Sequence, residues 1–354
     1  MSDELTATRA RSEPGLRSCD EPLAAAYDVA LLDLDGVLYL GEHAVPGAAD
    51  AVDEARAAGA RVAFVTNNAS RPTAAIAGQL NDLGVTASAD DIVTSAQASA
   101  RLVAERVPAG SPVLIVGGEG LRLAIEQHGL RPVVSADERP AAVVQGYAVS
   151  VDYQQLAEAA LAIRTGALYV ATNLDMTLPS PRGPLPGNGA LVEAVRLATG
   201  VDPVAVGKPE PTLLEEARRR TGARRPLMVG DRLETDIAGG VRAGMDTLLV
   251  LTGVSTEAEL VSSPPDQRPT YVAGDLGGLV AAHPEVCTGS SDWSCGGWTA
   301  TVDGGEVRLD GEGTRDDGLR AVCAAVWASE ASPDFEAALA ALPPARPASD
   351  QANR

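Results

Sequence analysis

Short apolar runs that stop abruptly at polar or acidic residues recur along the chain. The first, Val29–Leu32, is followed by Asp33, Leu34, Asp35 and Gly36. Four consecutive apolar residues fit a strand buried on both faces, as in a parallel sheet. In an extended chain residues i and i+2 point the same way. Asp33 and Asp35 can therefore share one cleft at the strand's carboxyl end, the edge where open α/β sheets hold ligands. Taken alone, the stretch reads equally well as an acidic turn. Comparable runs follow at 61–65, ending in Thr66-Asn67-Asn68, and at 91–94. Others lie at 203–206, ending in Gly207-Lys208-Pro209, and at 225–229, ending in Gly230-Asp231 with Asp236 close behind. Two more occupy 247–251 and 271–272. Helical patterns alternate with them: 48–58 closed by Gly59, one entered through Pro72 with Thr73 as cap, 95–106, Asn188–Thr199, 211–220 and 237–243. The alternation predicts an α/β fold built on a doubly wound parallel sheet.

Residues 111–186 carry a rhythm of their own, with strands at 113–116, 141–144 and Leu168–Ala171 and a helix at Tyr153–Arg164. The segment closes on a proline and glycine cluster, Pro179 to Gly187. This predicts an inserted α/β domain over 111–186 with a rigid return linker, and a core split between 22–110 and 187–283. Gly117-Gly118-Glu119-Gly120 lacks the GxGxxG spacing and a following acidic partner, so it predicts a tight strand-to-helix turn. Residues 1–21 read as a flexible tail. Beyond residue 284 the texture changes to a hairpin, 297–301 and 306–309, a helix at 317–328, a short Ala-rich helix and a proline-rich end. This predicts a small α+β extension, 284–354, with a thin core. Its hairpin–helix order resembles part of an acetyltransferase-like fold. It is short for a whole one and has no acyl-CoA pyrophosphate loop, so an accessory role is expected: packing, a dimer contact or regulatory binding.

Composition narrows the function. With 45% hydrophobic residues and only 3% aromatic, Ala, Val and Leu must build the core. No apolar stretch approaches the roughly 20 residues of a membrane span. The first twenty residues are polar and mixed in charge, without the pattern of a signal peptide. The formal net charge of −20 argues against nucleic acid or an anionic membrane as partner. Cys19, Cys287, Cys295 and Cys323 form no CxxC pair and are read as reduced thiols of a cytoplasmic protein; a disulfide or metal site among the last three lacks a companion histidine pattern. His43, His128 and His283 are read as surface or loop residues.

The polar ends of four apolar runs bring Asp33 and Asp35, Thr66 with Asn67 and Asn68, Lys208, and Asp231 with Asp236 to one sheet edge. Carboxylates in excess of one cation suit a hard divalent metal such as Mg2+. Lysine plus metal would supply the positive field that a phosphate needs against so acidic a protein. Asp33 is then the candidate nucleophile, forming an aspartyl-phosphate. Asp35 is the candidate acid and base, protonating the leaving alkoxide and then deprotonating water. Thr66 with a neighbouring N–H, and the two asparagines, would hold phosphoryl oxygens. Lys208 would offset their charge, Asp231 would bind the metal, and Asp236 would stand in its first or second shell.

These residues also resemble a family. DLDGVLYLG, FVTNN, GKP and GDRLETDIAGG are similar, in order and with an insertion, to the four motifs of the haloacid dehalogenase superfamily. The resemblance covers about residues 27–283. It is closest to the 4-nitrophenylphosphatase and phosphoglycolate/glycerol-3-phosphate phosphatase-like branch, which carries a class II cap. It implies a Rossmann-like core, Mg2+ dependence and phosphomonoester hydrolysis, with metal held by Asp33, the Asp35 backbone carbonyl and Asp231. Residues 171–189 are similar to the family's return from cap to core, whereas Gln145-Gly146-Tyr147 departs from its usual Gly-aromatic-Asp. A closing cap favours small soluble esters. Glycerol 3-phosphate or 2-phosphoglycolate is expected, with pyridoxal phosphate and nucleoside monophosphates as alternatives. Arg182 is a candidate contact for a second substrate group, against the plainer reading of a solvated loop arginine. A catalytically silent phosphate sensor and a phosphotransferase are the rival classes, and a homo-oligomer is left open.

Overall fold

Val29–Leu32 forms the strand that its apolar run predicts, in the middle of a six-stranded sheet. The order is Tyr271–Ala273, Asp246–Val250, Pro226–Gly230, Val29–Leu32, Arg61–Thr66 and Ile92–Thr94. All pairings are parallel, and Leu32 lies level with Val229 on one side and Phe64 on the other. Ala30 and Leu32 join one apolar cluster with Phe64 and Val229, while Val29 and Leu31 join another with Val65 and Met228. Both faces are thus buried. Each such leucine contributes about 1.5–3 kcal/mol of transfer free energy. The computed structural model describes residues 15–178, 180 and 182–344. Pro179 and Pro181 of the expected linker, residues 1–14 of the expected tail and the proline-rich end from residue 345 lie outside the described residues.

The insertion forms a second parallel sheet in the order Val204–Ala205, Leu168–Ala171, Ala142–Gln145, Pro112–Val116 and Arg131–Val133. Helix Tyr153–Arg164, held by an Asp152–Gln155 capping box, and helix Asn188–Thr199 cover one face. Here the structure corrects the sequence reading. Val204 pairs beside Val170, and Val192 and Val195 share a cluster with Val143 and Tyr169. The chain therefore stays with the second sheet until about residue 206, rather than rejoining the first at 187. The proline and glycine cluster is no linker to the core either. Its Leu185–Pro186 pairs antiparallel with Thr177–Leu178 just before it. Helices Ser95–Ala104 and Glu119–Gln127 join the two sheets in one apolar cluster that includes Leu31, Val103, Leu121 and Val144. Gly117 and Gly118 make the expected tight turn between strand Pro112–Val116 and helix Glu119–Gln127. Pro72, not Thr73, takes the cap position of helix Thr73–Asp82.

The extension is larger in strand than expected. Cys287–Thr288, Asp292–Cys295, Trp298–Asp303 and Glu306–Gly311 form an antiparallel sheet. Helix Arg315–Ala328 follows, capped by the Thr314 hydroxyl, which accepts the Asp317 N–H. All four cysteines are free thiols. Two expectations fail nearby. Cys19, in the presumed tail, bridges to His283, and His283 is buried with its ring against the Gly278 carbonyl. The buried Arg320 guanidinium explains the order there, donating through Nη2 to the carbonyls of Arg17 (2.9 Å) and Pro284 (2.6 Å). No helix among the described residues is long and apolar enough to cross a membrane.

An Arg320→Ala variant should lose about 3 kcal/mol of stability, the scale of two charge-assisted hydrogen bonds. Urea unfolding measures the loss, and limited proteolysis should find residues 15–21 newly exposed.

Candidate active site

Gly36 ends the first strand's turn in a left-handed conformation, φ +81°. A Cβ there would lie 2.3 Å from Asp231 Oδ2, and one on Gly253 would lie 2.0 Å from the same atom. Two glycines therefore let the Asp231 carboxylate sit against the backbone that carries Asp33 and Asp35. Asp231 Oδ2 accepts the Val254 N–H at 2.7 Å, whereas its buried Oδ1 has no hydrogen-bond partner. Lys208 arrives from the loop after strand Val204–Ala205, through a cis Lys208–Pro209 peptide. Its Nζ stands 2.6 Å from Asp33 Oδ1 and 2.7 Å from Asp236 Oδ1. Asp236 Oδ2 accepts the Arg232 N–H at 3.1 Å, while its buried Oδ1 has the Lys208 charge beside it but no hydrogen-bond partner. Asp33, Asp231 and Asp236 each offer a carboxylate oxygen within 4.8 Å of the others.

Crowding sets the charge states. Burial raises the Asp33 pKa; the Lys208 ammonium opposes the rise, and Asp236 and Asp231 add to it. Burial and then Asp236 push Asp231 up to about 6. Burial works against the Lys208 ammonium, but Asp236 and Asp33 outweigh it and hold the lysine protonated. Asp35 opens to the cavity, yet the protein around its carboxyl raises its pKa, against the pull of Arg232, Lys208 and Arg71. That suits a group that must deliver a proton. The orphaned Asp231 oxygen and the mutually repelling carboxylates fit a hard divalent cation such as Mg2+, which Asp33, Asp231 and Asp236 could hold.

All eight residues singled out in the sequence line one cavity of about 310 Å³: Asp33, Asp35, Thr66, Asn67, Asn68, Lys208, Asp231 and Asp236. Their side chains differ in what they offer. Thr66 Oγ1 accepts the Asn68 N–H at 3.1 Å and keeps its own hydrogen for a ligand. Of the two asparagine side chains expected to hold phosphate, that of Asn67 is engaged at both its amide atoms, and that of Asn68 at its oxygen. Asn67 Nδ2 donates to Lys208 O (3.0 Å) and Asp175 Oδ2 (3.3 Å), and its Oδ1 accepts the Lys208 N–H (2.8 Å). Asn68 Oδ1 accepts from Ser70 N (2.9 Å), Ser70 Oγ (3.0 Å) and Arg71 N (3.3 Å), fixing the turn into the next helix. Arg182 is exposed and does not line the cavity. Sequence reasoning missed the insertion's own contributions, Tyr147, Asn173, Asp175 and Thr177, and Arg232 from the core. Only Arg232, inside the stretch after Asp231, had a signal: a cation among the acidic residues.

Comparison with known proteins agrees with this geometry. Residues 30–131 match the model of the haloacid dehalogenase-like hydrolase family, and residues 205–279 match a second model described as HAD-hydrolase-like. A D-glycerol 3-phosphate phosphatase of Mycobacterium tuberculosis is 45% identical over 319 residues, 88% of each chain. The chain belongs to the haloacid dehalogenase-like hydrolases. A crystal structure of a glycerol phosphate phosphatase from the same organism, in complex with magnesium, superposes with a TM-score of 0.81 at 44% identity, covering 88% of this chain and 93% of that one. A p-nitrophenyl phosphatase from Archaeoglobus fulgidus gives 0.67 at 31% identity, covering 72% and 98%. In this haloacid dehalogenase-like chain, residues 295–348 match a GCN5-related N-acetyltransferase-like domain, in keeping with the likeness read from the hairpin and helix.

The raised Asp231 pKa gives a signed pH dependence. Unfolded aspartate releases its proton near pH 4, whereas Asp231 in the fold holds it to about 6. The folded chain binds more protons across that window, so metal-free stability should fall as pH rises through it. The gain in Tm from Mg2+ should accordingly be larger at about pH 7 than at about pH 5. Melting curves with Mg2+ and with EDTA check this.

Proposed function

We propose that this chain is a Mg2+-dependent phosphatase of small phosphate monoesters, with glycerol 3-phosphate as its substrate. The observation that carries the reading is the Asp33 carboxylate, held by Lys208 at 2.6 Å in a small cavity beside the orphaned Asp231 oxygen. Bound Mg2+ supplies Lewis-acid charge stabilisation and orients phosphoryl oxygens. Asp33 attacks phosphorus, the bond from phosphorus to the ester oxygen breaks, and Asp35 delivers its proton to the leaving alkoxide. A water then attacks the aspartyl-phosphate, giving its proton to Asp35 and freeing inorganic phosphate and the Asp33 carboxylate. Thr66 and Lys208 hold phosphoryl oxygens through both steps.

The walls of the cavity support a polyol ester. The insertion contributes Tyr147, Asn173, Asp175, Thr177 and Leu178, which are neutral or acidic. Such groups suit hydroxyls better than the second anion of 2-phosphoglycolate. We also infer a cytoplasmic setting, supported by the four free cysteines.

Phosphate release should require Mg2+ and show a higher kcat/KM for glycerol 3-phosphate than for 2-phosphoglycolate. Asp33→Asn should lower kcat by about 10³-fold or more, the loss expected when a nucleophile is removed. Near-wild-type turnover by that variant would exclude the covalent step.

A further inference from the structure

A line of three asparagine amides runs from the inserted domain into the catalytic site. Asn188, the first residue of helix Asn188–Thr199 and buried, donates through Nδ2 to Gln145 O (3.3 Å) and Asn173 O (2.7 Å). Asn173, also buried, donates through Nδ2 to Asn67 O (2.8 Å), and its Oδ1 accepts the Asp175 N–H (3.2 Å). Asn67 ends the line by gripping both polar atoms of the Lys208 backbone, with the distances given above. Its carbonyl also accepts Ser95 Oγ at 2.7 Å. There is no slack beside it, since a Cβ on Gly207 would lie 2.6 Å from Asn67 Oδ1 and 2.6 Å from Thr172 O.

Lys208 is therefore fixed at two ends. Its ammonium is held by Asp33 and Asp236, and its backbone by the side chain of Asn67, a residue bonded to the insertion through its side chain at Asp175 and through its carbonyl at Asn173. A phosphate ligand is not needed to explain Asn67, because its amide hydrogens already have acceptors. We propose that Asn67 is a positioning residue that ties the seating of the insertion's segment 173–175 to the placement of the Lys208 ammonium. The proposal deepens the phosphatase reading and rests on it for its kinetic consequence, but its geometry can be read independently.

Lys208 is the only lysine in the sequence. Lysine labelled with 13C at Cε and 15N at Nζ will thus give one side-chain NMR signal from the full Mg2+-loaded chain. In Asn67→Ala, and in Asn173→Ala, which leaves the Asn67 amide in place, that signal should move and broaden. Kinetically, Asn67→Ala should lower kcat about 10–100-fold, the scale of losing a residue that orients a ligating group, with KM changed less than about threefold. On a Lys208→Ala background the same substitution should cost no more than about twofold, because its effect passes through the lysine. An unmoved lysine signal in both variants, or losses that multiply in the double variant, would overturn the proposal. If the wild type released no phosphate from any ester, the phosphatase reading would fall, and the lysine signal would still decide this one. Should Asn67→Ala fail to fold, Asn173→Ala carries the same test.

Discussion

The site depends on one ammonium group between two carboxylates. Lys208 is almost fully buried, as is Asp236, and Asp33 is nearly so. Removing the cation would leave two buried carboxylates facing each other, the kind of change that costs about 3–5 kcal/mol. The choice of lysine is itself informative in a chain that otherwise uses arginine wherever Lys or Arg would serve. A guanidinium is a wide planar fork, whereas an ammonium is a compact charge with three rotatable donors. Here the ammonium donates to Asp33 and stands 2.7 Å from Asp236 in an ion pair. The geometry thus requires a point charge where arginine serves elsewhere.

That ammonium also answers the difficulty posed by a net charge of −20. An anionic substrate approaching such a surface is repelled unless the field reverses locally. Lys208 is not alone in reversing it. Arg232 lines the cavity, and both Arg232 and Arg71 act on Asp35. Even so, the clustered carboxylates crowd one another: burial first, and the neighbouring carboxylates after it, raise the Asp33 and Asp231 pKa values against the pull of Lys208. A bound divalent cation completes the balance.

Much of this was legible in the sequence because it follows from local pattern. Apolar runs ending in Asp33, Thr66 and Gly230-Asp231 predict strands of one sheet, and residues at strand ends share an edge whatever the rest of the chain does. Lys208 lines the cavity, but it arrives from a strand that the sequence reading put in the wrong sheet. The run at 203–206 does not say which sheet it joins, and Val204–Ala205 pairs with the insertion's Leu168–Ala171. Asn67 shows the same limit at side-chain level. Residue type made it a plausible phosphate ligand, but its side-chain hydrogen bonds are set by Lys208 and Asp175, 141 and 108 positions away. Burial of His283 and ordering of Cys19 likewise arise from a contact between chain ends, which periodicity cannot see.

The acetyltransferase-like extension follows the same logic of shared burial. Trp298, Leu319 and Val322 belong to one apolar cluster with Leu249 and Val272 of the first sheet and with Leu233 and Ile237, which flank Asp236. Arg315 closes this interface in an ion pair with Glu257, from a short helix of the core. The extension is therefore part of the core's packing and not a tethered module. Cutting it away near residue 284 would expose core side chains on the segment that carries Asp236. Loss of activity on truncation would then report damage to packing, so a regulatory role must be sought by substitutions that leave this cluster intact.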